Sequence, residues 1–342
     1  MSHTAEMEPS GLAVRGINYD TGTNYAAGWL SRPDWSESVM QRDLATIRDD
    51  LHCTAVTVFG SDPGRLSRCA EVASESGLDV WVQPRLLDAP ANEYLDHLGR
   101  VAAEAQVLRA AGGRIWLNVG CELSVFTAGI MPGRGYAARA RNLAWAWPLL
   151  PLFNRRLDRL LDRAVAVARG AFTGEITYGS GMWEAVEWRR FDAVGLNHYR
   201  DRSTARTHEA VLAKVVGSGR PVIVTEFGCC AFPGAEDLGP AADGILDWSD
   251  PDRPRVIGDH PRDESIQARY LEEMLDVFER VGVTGAFVFE LVEPSHPRSD
   301  DPRFDIDVAS FGIMAFEPRA DASGVMVPKE AFHRVAARYA RR

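Results

Sequence analysis

Long apolar runs are missing from this sequence. The longest, Leu143 to Phe153, is too short to cross a bilayer and carries Pro148 and Pro151. It reads as a packed helix end and turn, with a flap over a cleft or a peripheral membrane contact as alternatives. No stable membrane insertion is expected. A basic excess is missing as well. The chain has 48 acidic and 38 basic residues, a formal charge of −10, so the general attraction of nucleic-acid binders for phosphate backbones is absent and no nucleic-acid partner is expected. Arginines in 139–141 and 155–163 recur at helical spacing and read as solvated helix faces. Cysteine is sparse: Cys53, Cys69, Cys121, Cys229 and Cys230 are odd in number and show no zinc-ribbon or redox spacing. Reduced thiols and a cytoplasmic protein follow as expectations. Met1 to Ser10 is polar and lacks the basic start and apolar run of a secretion signal.

Several chemical signatures are also absent. The eight histidines form no His-Glu-x-x-His and no His-x-His, and no metal centre is expected. No Gly-x-Gly-x-x-Gly follows the first apolar run, which argues against a dinucleotide fold, and no Gly-x-Ser-x-Gly elbow supports Ser124, Ser180 or Cys121 as nucleophile. No cofactor is expected. Asp300, Asp301, Asp305 and Asp307 lack the order of a calcium loop and read as a solvated acidic loop.

What the sequence does have is alternation. Apolar runs at Val14–Tyr19, Thr54–Phe59, Leu78–Gln83, Ile115–Val119, Glu175–Gly179, Phe191–Asn197, Pro221–Thr225 and Thr284–Phe289 read as eight strands. Helical patterns separate most of them, including Pro33–Leu51, Pro63–Ser76, Asn92–Ala111, Arg155–Ala168, His208–Val216 and Glu264–Val281, with Pro328–Arg341 closing the chain. Eight βα units predict an α/β fold, a single (β/α)8 TIM barrel, and the length of 342 residues accommodates one barrel with insertions. The expected domain is 13–342, preceded by a flexible 1–12. Long loops leave strands four (123–150), seven (229–263) and eight. In a barrel they rise from the active-site face.

Two of these strands deliver a carboxylate at the same rim. Ile115-Trp116-Leu117-Asn118-Val119-Gly120-Cys121-Glu122 and Pro221-Val222-Ile223-Val224-Thr225-Glu226-Phe227-Gly228 each run apolar residues into a glutamate. Strands four and seven face each other across a barrel, and paired carboxylates are what glycoside hydrolysis uses.

With these two motifs the chain resembles the retaining (β/α)8 glycoside hydrolases of clan GH-A, the cellulase-, mannanase- and β-glucosidase-like families, as an atypical bacterial member. The resemblance implies Glu226 as nucleophile and Glu122 as acid/base in a retaining O-glycosyl hydrolase. It also implies a substrate-binding set: Arg85, Asn118, Cys121, Trp183, Asn197, His198, Tyr199, Phe289 and Glu290. Cys121 stands where the clan has an asparagine that binds the sugar 2-hydroxyl. Arg85 substitutes for an arginine the clan carries near strand two, where this chain has Val58-Phe59-Gly60-Ser61. Tyr199 is expected to hydrogen-bond Glu226, His198 to bind a sugar hydroxyl, and Phe289 to stack a sugar face where relatives carry tryptophan. Glu290 is a third rim carboxylate for a hydroxyl pair, a cationic sugar or Arg85, and Trp29 is a further platform. Trp145, Trp147 and Phe153 point to a restricted pocket, hence to a small glycoside or glycoconjugate as partner. The alternatives are a non-hydrolytic tailoring enzyme acting on a natural-product acetal, or a carbohydrate-binding pseudoenzyme in a defence or signalling system.

Overall fold

The structure, a computed structural model, describes residues 11–251, 253–318 and 324–341. The first ten residues of the expected flexible terminus lie outside the described residues, and Leu12 is already buried in the core.

Eight parallel strands form the centre: β1 (Val14–Asp20), β2 (Ala55–Gly60), β3 (Asp79–Pro84), β4 (Ile115–Cys121), β5 (Ile176–Gly179), β6 (Val194–Asn197), β7 (Val222–Phe227) and β8 (Gly285–Val288). Their order is β5-β4-β3-β2-β1-β8-β7-β6. The remaining seam closes through Ser180, whose N–H donates to the Gly195 carbonyl (3.1 Å) and whose carbonyl accepts from the Asn197 N–H (2.9 Å). A side chain at Gly195 would place its Cβ 2.3 Å from the Tyr178 carbonyl oxygen, so this close approach requires glycine.

Helices α1 (Glu37–Ala45), α2 (Pro63–Glu75), α3 (Ala91–Ala110), α4 (Tyr136–Ala146), α5 (Leu150–Ala171), α6 (His208–Val216), α7 (Glu264–Val281) and α8 (Glu330–Tyr339) accompany the strands. Local chemistry explains them. The Asp62 side chain caps α2 by accepting from the Arg65 N–H, Pro63 follows in its first turn, and Leu66, Cys69, Ala70 and Ala73 form the buried stripe. No helix intervenes between β5 and β6, only a loop with a 3₁₀ turn at Trp188–Arg190. Between β8 and α8 the chain inserts a small sheet of β9 (Val292–Pro297), β10 (Met314–Pro318) and β11 (Gly324–Pro328). Among the described residues no helix is long and apolar enough to cross a membrane.

The core has two compartments because strand side chains alternate. Residues such as Ile17, Val56, Val80, Leu117 and Val224 face the helices. The other phase fills the barrel. Its lowest layer is apolar, with Ala55, Trp81, Ala193, Ile223 and Phe287, and Trp81 stacks on Trp116 at 4.4 Å and 5°. Further along six of the eight strands the next inward position is polar: Asn18, Thr57, Gln83, Asn118, Thr177 and Thr225 are all buried. This polar layer underlies the rim that carries the site.

One expectation is corrected here. The acidic loop after β8 is not solvated throughout: Asp305 and Asp307 are buried, and both pair with Arg262 (2.6 and 2.8 Å). Asp307 also pairs with Lys329 (2.9 Å). Their carboxylates are consumed in joining two loops to the start of α8.

Candidate active site

Both glutamates leave the regular strand pattern at irregularities. The β4–β5 register shifts between Asn118 and Cys121, and the β6–β7 register shifts between Leu196 and Asn197, where Asn197 pairs with Glu226. Such bulges re-aim side chains near barrel rims. Glu122 itself lies in the left-handed region (φ 42°, ψ 43°), an unfavourable conformation for a residue with a Cβ. Its turn is held from strand five and the following loop. The Tyr178 hydroxyl accepts from the Leu123 N–H (2.7 Å) and donates to Glu184 (2.8 Å), and Glu184 accepts from the Ser124 N–H (3.0 Å). Gly228, after Glu226, is required by packing, since a Cβ there would lie 2.3 Å from the Phe289 carbonyl oxygen.

Glu226 is 5% exposed and pairs with the Arg85 guanidinium through Oε1. Arg85 is fixed on its other edges: its Nε donates to Gln83 Oε1 (2.7 Å) and one terminal nitrogen to the Tyr25 hydroxyl (3.1 Å). Its plane lies 3.9 Å over the Phe59 ring. Phe59 stacks in turn with Phe289 at 5.9 Å and 24°, so the two rings floor the site beneath the arginine.

The second carboxylate joins the first through Asn197 and Cys121. Thr225 Oγ1 donates to Asn197 Oδ1 (2.8 Å), which turns the amide nitrogen toward the site. That nitrogen donates to Glu122 Oε1 (2.9 Å) and contacts Cys121 Sγ (3.3 Å). Cys121 Sγ donates to Glu226 Oε1 (3.4 Å). Burial, and then the Glu226 charge, push the Cys121 thiol pKa well up, so it stays protonated and able to donate. Glu122 is raised to about 8, by burial first and the Glu226 charge second, against the Asn197 hydrogen bond that lowers it.

The other sequence-derived positions divide. Tyr199 lies at this rim, where burial and then the charges of Glu226 and Glu122 raise its pKa, but it makes no hydrogen bond to Glu226; Arg85 and Cys121 supply that contact. Trp183 borders Glu122 through its Nε1–H, which donates to Ser124 Oγ (3.0 Å). Asn118 lies in the polar layer, its Oδ1 accepting from the Gly120 and Gly179 N–H groups (3.3 and 3.1 Å), so it ties β4 to β5. His198 is a correction. Alternation along β6 turns it outward, and its ring stacks on His208 of α6 at 3.9 Å, with Nε2 3.3 Å from the His208 carbonyl oxygen. Glu290 is buried beside the site but does not pair with Arg85, and its Oε2 has no partner. Burial, and then Glu293, raise its pKa well above the carboxylate range. Trp29 meets Trp248 edge-on at 6.4 Å in an adjoining cavity of about 530 Å³, which neither catalytic candidate lines.

The sequence reading missed Phe59, Tyr25 and Tyr136. Tyr136 opens α4 and meets Tyr25 at 5.9 Å and Phe126 at 5.1 Å. Phe59 carries a signal, being an inward residue at the end of β2. Tyr25 lies in a loop and Tyr136 at the first position of a helix inserted after β4, and neither carries one. Among the described residues no group of three or more His, Cys, Asp or Glu side chains is arranged to hold a metal ion.

Comparison with protein-family models finds no match, and neither does comparison with curated proteins. Solved structures do match. A GH113 β-1,4-mannanase is 14% identical, with TM-score 0.62, over 97% of this chain and 99% of that one. A GH113 β-mannanase from Alicyclobacillus acidocaldarius is 15% identical, with TM-score 0.59, over 96% and 97%. The Bacteroides uniformis β-glucuronidase 2, covalently bound to cyclophellitol-6-carboxylate aziridine, is 18% identical with TM-score 0.60; the match covers 98% of this chain but 36% of that one. At these identities the likeness is one of fold: this chain shares the (β/α)8 barrel of these glycoside hydrolases.

Proposed function

We propose that this protein is a retaining β-glycosidase, with Glu226 as nucleophile and Glu122 as acid/base; Trp145 and Trp147, expected to restrict the pocket, are exposed away from it and set no limit on the size of the glycoside. The observation that carries the reading is the joined carboxylate pair. A buried glutamate, Glu226, and a half-buried one, Glu122, from facing strands share one hydrogen-bonded unit through Cys121 and Asn197, and they differ in surroundings. Glu226 faces a guanidinium, whereas Glu122 is held up to about 8 by burial and the Glu226 charge. A carboxylate beside a protonated acid is the division of labour that glycoside cleavage requires.

The Glu226 carboxylate attacks the anomeric carbon as Glu122 gives its proton to the departing glycosidic oxygen. The bond to the aglycone breaks and a glycosyl ester forms on Glu226. That ester is uncharged, so the repulsion raising the Glu122 pKa falls, and the carboxylate left there takes a proton from water. Water attacks the same carbon and releases Glu226, with net retention. The Cys121 thiol and the Asn197 amide stand where a sugar 2-hydroxyl would be contacted, in place of the clan's asparagine.

The test is a panel of activated aryl β-glycosides with wild type and Glu226→Gln, following the product anomer by NMR. Turnover by wild type alone, with retention, is expected. Activity surviving in Glu226→Gln would remove the nucleophile assignment, and an inverted product would remove the mechanism.

A further inference from the structure

Between Leu123 and Leu157 the sequence carries five arginines and not one acidic residue, in a chain whose formal charge is −10. This stretch also holds the most concentrated exposed apolar surface among the described residues. Trp145 is 54% exposed, Trp147 67%, Leu149 44% and Leu152 45%. Pro148 lies in the 3₁₀ turn between α4 and α5 and Pro151 in the first turn of α5, so these four side chains fall on and beside one corner of the chain.

Within this stretch the charge is of one sign, and the acids beside it are held by arginines. Arg134, Arg141, Arg155 and Arg159 are exposed and make no ion pair among the described residues. Arg139 is buried and occupied by Asp88. The nearest following acids, Asp158 and Asp162, both pair with Arg190 (2.7 and 3.2 Å). Along α5, Leu152, Arg155, Arg156 and Arg159 fall at i, i+3, i+4 and i+7, so the apolar tip continues into an arginine stripe on one face.

We infer that this corner is a docking surface for a lipid bilayer carrying anionic headgroups. Indole rings favour the depth of the headgroups, and an apolar tip ringed by arginine binds by burying its side chains while the guanidiniums meet lipid phosphate. Single-stranded nucleic acid would use the arginines and tryptophans, but it offers nothing to Leu149 and Leu152. A protein partner would have to answer an uncompensated positive rim. The position has a consequence for the catalytic cleft: Tyr136, in the first turn of α4, packs on Tyr25 and Phe126 at the site, while the tryptophans occupy the far end of the same helix and the turn beyond it. Docking would hold the cleft a helix length of about 16 Å from the membrane surface. The docking itself does not depend on the proposed chemistry.

The experiment uses the full chain and sedimented vesicles of phosphatidylcholine, with and without about one third phosphatidylglycerol, at low and high salt. Binding to the anionic vesicles, weakened by salt, is expected, with tryptophan emission quenched by brominated lipid. W145S/W147S should lose binding by tenfold or more. Arg141→Glu and Arg155→Glu should each lose roughly fivefold or more. Far-ultraviolet dichroism and urea midpoints must match wild type in every variant. Failure to bind anionic vesicles at low salt would overturn the inference, as would full binding by W145S/W147S. A dimer that dissociates in W145S/W147S, with no vesicle binding, would assign the corner to self-association instead.

Discussion

Glu122 has neighbours that pull its proton affinity in opposite directions, and its role depends on the balance. Burial and Glu226 raise its pKa to about 8, while the Asn197 amide, donating to the carboxylate, lowers it. The acid form is therefore present below about pH 8 and lost above it. We expect kcat/KM on a poor leaving group to fall above that pH, and Glu122→Gln to abolish the reaction on such substrates. Removing the amide removes a hydrogen bond to the charged form, so Asn197→Ala should move the alkaline limb upward while lowering the rate; a pH–rate profile of both proteins tests the sign. The same group has a stability signature. The unfolded chain loses this proton near the ordinary value of 4.5, and the folded protein keeps it to about 8. The contribution is thus fully present below 4.5, declines across that window on the order of 1.4 kcal/mol per pH unit, and is flat above it. Urea titrations of Glu122→Gln and wild type should diverge over that interval in favour of the variant. Arg85 shows where sequence reading reaches its limit at this scale. Its candidacy was legible from position, just past a strand end, but a pair formed across 141 residues with Glu226 is created by barrel closure rather than by any local pattern.

Strand β6 shows what periodicity carries and where it was under-used. The run Phe191–Asn197 is legible as a strand, and the two-residue period fixes its faces: Val194 and Leu196 point to the helices, Ala193, Gly195 and Asn197 into the barrel. Carried one step further, the same period turns His198 outward and Tyr199 inward, as observed. At β4 and β7 the period fails because bulges intervene, and a bulge has no reliable signature in residue type. The outward His198 joins β6 to α6 through the mutual ring-to-carbonyl contacts with His208. Burial lowers the pKa of these rings to about 3 and about 4. Their sign is opposite to that of Glu122. Below the ordinary 6.5 the unfolded chain takes up protons that the folded pair refuses, so stability falls as pH drops from 6.5 toward 4. His208→Gln should flatten that decline, measurable as urea midpoints at pH 7 and pH 5. The barrel floor gives a further element-level expectation. Trp81→Ala removes one half of the Trp81–Trp116 stack, and should cost about 3–5 kcal/mol. The rim lies two inward layers above, so the pH–rate profile of the folded fraction should not move.

At the scale of the molecule the question is what holds the long loops of a (β/α)8 barrel against its rim. The alternation of strands and helices made the barrel legible, because each unit writes its own period; the loops between them obey no period, so their contacts were not. The acidic cluster after β8 is the clearest case, since four aspartates in a short stretch look solvated until their partners are known. Those partners come from separate parts of the chain. Arg262 precedes α7, Lys329 precedes α8, and both meet at Asp307, which is 1% exposed, with Asp305 on the far side of the arginine. One buried carboxylate thus fastens the loop after β7, the loop after β8 and the terminal helix that packs on α7. Lys329 is also 1% exposed, so its ammonium has no water to return to. Removing Lys329 leaves Asp307 only a share of Arg262, which Asp305 also holds, and costs up to about 3–5 kcal/mol, whereas removing Lys329 and Asp307 together costs less. Lys329→Met should therefore lower the urea midpoint sharply, and Lys329→Met with Asp307→Asn should recover part of the loss. Equal destabilisation by the single and double changes would mean that the node contributes packing volume, not charge pairing. The effect on turnover should follow the folded fraction, because none of these side chains touches Glu122, Glu226 or Arg85.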